Sequence, residues 1–151
     1  MPPRQFTYDG ESEPTDTPNM RLPGRMRHGH GEIKYDSGNH YVGGWVHDKR
    51  EGVGKYTYAC GDVFDGSWKA GMYDGQGKYS SPSGEGDEYE GEWQADLPHG
   101  HGRYLYRASG DVFEGEWREG KRHGKGTYTA ASGEVRAGEW ADGELVAAEA
   151  S

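Results

Sequence analysis

Five tryptophans divide the chain at almost equal intervals, and this spacing limits the fold more than any other feature. Trp45, Trp68, Trp93, Trp117 and Trp140 are separated by 23, 25, 24 and 23 residues. Each stands two residues after a glycine: Gly43, Gly66, Gly91, Gly115 and Gly138. Two residues before those glycines lie Tyr41, Phe64, Tyr89 and Phe113, and in the last unit Arg136. A unit therefore opens with aromatic-x-Gly-x-Trp. Seven residues after each of the first four tryptophans comes the first glycine of a Gly-x-Gly pair: Gly52/Gly54, Gly75/Gly77, Gly100/Gly102 and Gly124/Gly126. A fifth pair, Gly29/Gly31, precedes Trp45. Self-similarity at this period marks a repeat architecture rather than one conventional core.

The Trp-to-glycine distance never varies. All length variation falls between the Gly-x-Gly pair and the next opening aromatic, at 10 residues from Gly54 to Phe64, 12 from Gly77 to Tyr89 and 11 from Gly102 to Phe113. One turn of each unit thus accepts insertions. The segment Ser81-Pro82-Ser83-Gly84 is the expected solvent-exposed example. Aromatic-x-Gly-x-Trp has period two, which puts three positions on one strand face. The central glycine leaves a slot in which a ring from a neighbouring unit is expected to pack. Gly-x-Gly-x-aromatic, as in Gly102-Arg103-Tyr104-Leu105-Tyr106, forms the second strand, with the polar stretch Glu119-Gly120-Lys121-Arg122-His123 as an example of the turn between. A lone hairpin cannot bury its aromatic face, whereas stacked hairpins can. Burying one ring removes about 150–250 Å² from water, at most about 4–6 kcal/mol. The predicted class is all-β: a single elongated solenoid or ribbon of tandem antiparallel β-hairpins, preceded by a flexible N-terminal arm.

Composition supports this economy of core. Hydrophobic residues make up 31% of 151 residues and mean hydropathy is −1.11, yet there are 5 Trp, 11 Tyr, 3 Phe and 27 Gly. Aromatics and glycines must build the interior. A net charge of −9 disfavours general nucleic-acid binding, which depends on Lys and Arg neutralising phosphates. Cys60 is the single cysteine, so no intrachain disulfide framework exists. The sequence from Met1 shows no apolar signal run, and a soluble cytoplasmic location is the expectation.

Segments such as Tyr89-Glu90-Gly91-Glu92-Trp93 and Phe113 through Gly126 closely resemble MORN repeats (membrane occupation and recognition nexus) over about residues 24–145. The reading places a Pro-containing flexible arm at 1–23 and the repeat solenoid at 24–145. Its units are 24–40 (partial), 41–63, 64–88, 89–112, 113–135 and 136–145 (partial). A tail follows at 146–151, with one or two helical turns or a frayed end as its alternatives. Asp48 and Asp96 stand where Gly71 and Gly120 sit in other units. Arg136 replaces an opening aromatic, and nothing after Gly143 resembles a completed hairpin. These departures imply an imperfect cap. The structural positions carrying the resemblance are Tyr41, Gly43, Trp45, Phe64, Gly66, Trp68, Tyr89, Gly91, Trp93, Phe113, Gly115, Trp117, Gly138 and Trp140.

No catalytic, cofactor-binding or metal-binding residues are predicted, and the chain is not expected to be an enzyme. Gly120-Lys121-Arg122-His123-Gly124-Lys125-Gly126-Thr127 has three residues between its first glycines where a phosphate loop needs four. His28-Gly29-His30 and His99-Gly100-His101 each offer two imidazoles where zinc wants four ligands. They read as turn residues beside the repeat glycines. Cys60 has no sequence-local activating histidine, and Glu85, Asp87, Glu88 and Glu90 read as a solvated loop. The resemblance implies a non-catalytic scaffold or adaptor for protein partners. Its implied setting is cytoplasmic and cytoskeleton-associated, including the axoneme of a cilium or flagellum, since tandem runs of this kind resemble the repeat region of radial-spoke head proteins. The alternatives are phospholipid tethering and targeting of an enzyme bound in trans. For tethering, Lys49/Arg50, Arg118, Lys121/Arg122 and Lys125 would form a basic edge giving weak anionic-lipid binding. Homodimerisation through unpaired end strands is a further expectation.

Overall fold

The computed structural model describes residues 6–14 and 25–149. Its strands are β1 (Phe6–Pro14), β2 (Arg25–Tyr35), β3 (His40–Val46), β4 (Lys49–Thr57), β5 (Val63–Lys69), β6 (Met72–Ser80), β7 (Glu88–Gln94), β8 (Leu97–Tyr106), β9 (Asp111–Arg118), β10 (Lys121–Thr129), β11 (Val135–Ala141) and β12 (Glu144–Ala148). They form one open antiparallel sheet in strict sequence order. At about 4.8 Å per strand the ribbon is about 50 Å long.

Five hairpins, β3–β4, β5–β6, β7–β8, β9–β10 and β11–β12, close through a two-residue turn with both residues at positive φ: His47-Asp48, Ala70-Gly71, Ala95-Asp96, Glu119-Gly120 and Asp142-Gly143. This primed geometry matches the twist of paired strands. Glycine suits the second position, and aspartate tolerates it while adding a bond. Asp96 Oδ1 accepts from the Tyr73 amide at 2.8 Å, and Asp48 pairs with Arg27. The polar segment Glu119–His123 is therefore mostly strand: only Glu119 and Gly120 turn, and Lys121 begins β10.

Beyond the turn the register breaks in the same way in the four hairpins from β3–β4 to β9–β10. In β4, Glu51, Gly52 and Val53 stand opposite the single residue Gly44, between the pairs Trp45↔Arg50 and Gly43↔Gly54. A bulge of this kind bends the strand. The first glycine of each Gly-x-Gly pair sits there with φ between +62° and +94°, and this explains its fixed distance from the tryptophan. The second glycine has another duty. A Cβ on Gly54 would lie 2.2 Å from the Tyr41 hydroxyl oxygen, and one on Gly77 would lie 2.4 Å from Phe64 Cζ. The ring lying across the glycine pair is thus the unit's own opening aromatic, where sequence reasoning expected a neighbour's.

Neighbours meet through tryptophan. Each opening ring makes edge-to-face contact with its own indole and with the next unit's: Tyr41 with Trp45 at 5.2 Å and Trp68 at 5.3 Å, Phe64 with Trp68 at 5.2 Å and Trp93 at 5.3 Å. Tyr89 and Phe113 repeat the arrangement with Trp93/Trp117 and Trp117/Trp140. Each indole N–H donates to the carbonyl of the preceding unit's second glycine, from Trp45 to Gly31 (3.1 Å) through Trp140 to Gly126 (3.0 Å). The opening aromatics and tryptophans are all buried.

Both ends extend the sheet beyond the sequence-based limits. The flexible arm expected over 1–23 is corrected at Phe6–Pro14, which pairs with β2 as β1. Tyr8-Asp9-Gly10-Glu11-Ser12 follows the order of Tyr89-Glu90-Gly91-Glu92-Trp93 with serine at the tryptophan position, so a search by tryptophan passes over it. Tyr8 still lies over Gly31 and meets Trp45 at 5.7 Å. The rest of that arm, 1–5 and 15–23, lies outside the described residues. At the other end Glu144–Ala148 completes a hairpin as β12, so Leu145–Ala148 is strand rather than helical turns or a frayed tail. Its bulge is shorter, and Ala148 stands opposite Gly138 where other units have the second glycine. Arg136 explains why: with no opening ring to cross that position, a methyl group is tolerated. The insertion turn is exposed at Pro82, Ser83, Gly84 and Glu85, as expected, although Ser81 is buried.

Gly77→Ala is expected to cost about 1–3 kcal/mol in urea denaturation, because its methyl group collides with Phe64. In a Phe64→Leu background the same substitution is expected to cost less than half as much. Equal costs in the two backgrounds would contradict the ring-over-glycine packing.

Candidate interaction surface

Beside the buried rings, the same face carries a partly exposed band of tyrosines. The aromatics after each Gly-x-Gly pair supply it: Tyr35, Tyr58, Tyr79, Tyr104/Tyr106 and Tyr128, with Tyr56 buried beside them. They touch within and between units, with Tyr56–Tyr58 at 4.6 Å, Tyr58–Tyr79 at 5.9 Å, Tyr104–Tyr106 at 4.5 Å and Tyr106–Tyr128 at 5.9 Å. An acidic or amide residue two positions before each opening aromatic pins this band. Tyr79 donates to Asp62 (2.9 Å), Tyr104 to Asp87 (2.8 Å) and Tyr128 to Asp111. The same side chains tie one turn to the next. Asn39 Oδ1 accepts from the Ala59 amide, Asp87 Oδ1 from Arg107 and Asp111 Oδ1 from Ala131, at 2.8–2.9 Å.

The fifth residue after each tryptophan forms a second column: Arg50, Tyr73, Pro98, Arg122 and Leu145, preceded by Arg27. Its three arginines pack against the following indole. Arg27, Arg50 and Arg122 hold their guanidinium carbons 4.3, 4.9 and 5.0 Å from the Trp45, Trp68 and Trp140 ring centroids. Arg50 also donates to the Gly71 carbonyl at 3.1 Å, and Arg122 to that of Gly143. Tyr73 stacks on Phe64 at 3.7 Å and meets the following indole, Trp93, edge-on at 5.3 Å. Arg50 and Arg122 are consequently withdrawn from the expected basic edge and spent on aromatic faces. Lys49, Arg118, Lys121 and Lys125 remain exposed. Sequence reasoning placed these two arginines among turn residues. The signal that finds them is their fixed offset from tryptophan, shared with Tyr73 and Leu145. A hollow of about 340 Å³ opens here between Arg50, Tyr58, Trp68, Tyr73 and Asp96, and one of about 630 Å³ at the C-terminal end over Arg122, Tyr128, Trp140 and Leu145.

The chemistry-bearing candidates take structural places. Gly29 and Gly100, at the centres of the two histidine pairs, are bulge residues at positive φ. The His30 amide donates to Glu11 (2.6 Å) and the His101 amide to Glu92, while His99 Nδ1 accepts from the Glu119 amide at 3.3 Å. Among the described residues no three His, Cys, Asp or Glu side chains gather as a metal site. Gly120–Thr127 spans a hairpin turn and the following bulge, a strand-to-strand setting. Cys60 is exposed in the turn before β5. Glu85 and Glu90 are exposed, Asp87 holds Tyr104, and Glu88 pairs with Arg107 at 2.7 Å.

Burial raises the hydroxyl pKa of Tyr8, Tyr41, Tyr58, Tyr73, Tyr79, Tyr89, Tyr104 and Tyr106 above the ordinary tyrosine value. For Tyr128 the hydrogen bond to Asp111 is the larger cause. The folded chain therefore keeps protons that the unfolded chain releases near pH 10. Stability is complete below that pH and falls as pH rises above it. Tyrosinate absorbance is expected to rise cooperatively with loss of the strand signal. Gradual ionisation centred near pH 10, with the sheet intact, would contradict this packing.

A sequence model described as the MORN repeat matches residues 26–40, 41–63, 64–86, 89–110 and 113–135, more than half of the chain. No curated protein matches it. Repeats of this family are non-catalytic modules for protein or membrane interaction. The sheet of ring-locked hairpins and the five matched segments place the chain in the MORN-repeat family.

Proposed function

We propose that this protein is a non-catalytic scaffold that seats protein partners along its tyrosine-and-arginine face, within a cytoskeletal assembly such as the axoneme of a cilium or flagellum. The carrying observation is that face. A band of half-buried tyrosines runs with arginine-capped tryptophans along the ribbon, and side-chain-to-backbone bonds from unit to unit hold it in one geometry. Tyrosine, tryptophan and arginine are the side chains that concentrate binding energy at interfaces, because they bury much area for little lost freedom. A stack of repeats offers them at regular intervals and so suits an extended partner. The cytoskeletal setting draws on the likeness to radial-spoke head repeats. Phospholipid tethering is less well supported, since two of the six basic residues proposed for a positive edge lie on aromatic rings.

The tagged full-length protein, expressed in its native cell and extracted with detergent, is expected to stay with the cytoskeletal residue. Tyr106→Ala is expected to release at least ten times more of it while leaving the far-ultraviolet circular dichroism unchanged. Release of the unsubstituted protein into the soluble fraction would overturn the cytoskeletal placement. Retention that ignores Tyr106→Ala and Tyr58→Ala would move the binding surface off this face.

A further inference from the structure

The face opposite the rings carries a charge pattern that the scaffold reading does not use. One row across six successive strands, β4 to β9, reads Lys55, Asp65, Lys78, Glu90, Arg103 and Glu114. Each is the register partner of the next, and all six are exposed. The row ends in the uncharged Val42 on β3 and Thr127 on β10. Strand spacing makes it about 24 Å long. Within the sheet, this alternation sets opposite charges side by side. It also has a consequence between molecules, because six alternating charges read backwards are the complement of themselves.

We propose that this face joins two copies of the chain back to back about a two-fold axis lying parallel to the strands between β6 and β7. That operation sets Lys55 against Glu114 of the second copy, Asp65 against Arg103 and Lys78 against Glu90, each pair occurring twice. No like charges meet in this row. The rows on either side set no like charges together: Val63 faces Leu105, Thr57 faces Val112 and Ser80 faces Glu88 on one side, while Gln76 faces Glu92, Ser67 faces His101 and Val53 faces Glu116 on the other. Overall charge favours the same antiparallel sense. Residues 25–85 carry eight basic and eight acidic side chains, and residues 86–149 carry seven basic and fourteen acidic. The two-fold lays each acidic half over the neutral half of its partner, whereas a parallel stack would set acidic on acidic. A hollow of about 480 Å³ over Gly91 and Gly102 gives the opposing side chains room on this face. The surface is small and its pairs are exposed, so the dimer is a weak one, with a Kd between about 1 µM and 1 mM, and is sensitive to salt.

The test is sedimentation equilibrium of the full chain over that concentration range at low and high salt. The unsubstituted chain is expected to dimerise at low salt and to dissociate as salt rises. Lys78→Glu sets a carboxylate against Glu90 at two places in the dimer, and Glu90→Lys sets an ammonium group against Lys78 at the same two places. Each variant alone is therefore expected to be monomeric. Their equimolar mixture restores an attractive pairing between unlike chains, and heterodimers are expected to return. Circular dichroism and thermal melting establish that both variants fold. Should either be unfolded, Lys55→Glu with Glu114→Lys repeats the exchange at the row's ends. The proposal is overturned if the unsubstituted chain stays monomeric, if both folded variants still dimerise alone, or if folded variants fail to pair when mixed. Dimerisation indifferent to these charges would place the contact elsewhere, for example at the unpaired edge of β12.

Discussion

Everything in this ribbon depends on the seat of the tryptophan. Each of the first four indoles stands edge-on between two opening rings, one from its own unit and one from the unit before, and Trp140 meets only the latter, Phe113. Its N–H satisfies a glycine carbonyl of that preceding unit. Edge-to-face pairs of this kind add about 0.5–1.5 kcal/mol each beyond area burial. A buried carbonyl left without its donor would cost about 1–3 kcal/mol. The indole thus joins consecutive hairpins by packing and by hydrogen bonding at one point. A chain with 31% hydrophobic residues can hold a sheet together this way, without the layered aliphatic interior of a compact domain.

The glycines follow from that seat. One glycine of each pair makes the bulge that bends the strand, and the other clears the path of the opening ring. The ends show the dependence most plainly. Where Arg136 removes the opening ring, Ala148 occupies the glycine position. Where Ser12 removes the tryptophan, the rest of the motif, Tyr8 and Gly10, still builds a strand. The bent sheet presents two unlike faces. One is aromatic, with arginines committed to its rings, and the other is a lattice of alternating charge. The first suits a partner that brings extended apolar and polar side chains; the second complements itself.

The repeat and the hairpin architecture were legible in the sequence, because periodic tryptophans and glycines report directly on backbone geometry. Neither end was legible. β1 was hidden by a single Trp-to-Ser exchange, and β12 by the loss of both ring and glycine. β12 owes its place to backbone pairing with a neighbour already in the sheet, which side-chain periodicity does not encode. The interaction surface was half legible. Tyr56/Tyr58 and Tyr104/Tyr106 stood out as alternating aromatics, whereas Arg50 and Arg122 read as surface charge. Their role depends on the indole of the following unit, 18 residues further on in each case. The charge row on the other face spans strands from successive units and becomes visible only once the register is known.

The most direct test of the account is hydrogen exchange of the five indole N–H protons, followed by NMR. The account predicts that those of Trp45, Trp68, Trp93 and Trp117 exchange as slowly as the backbone amides of the strands beside them, since opening any one requires two hairpins to part. Trp140, whose outer side has only β12, should exchange faster. Indole protons that exchange rapidly while strand amides stay protected would contradict it, and would mean that the sheet stands on its backbone ladder without the tryptophan seat.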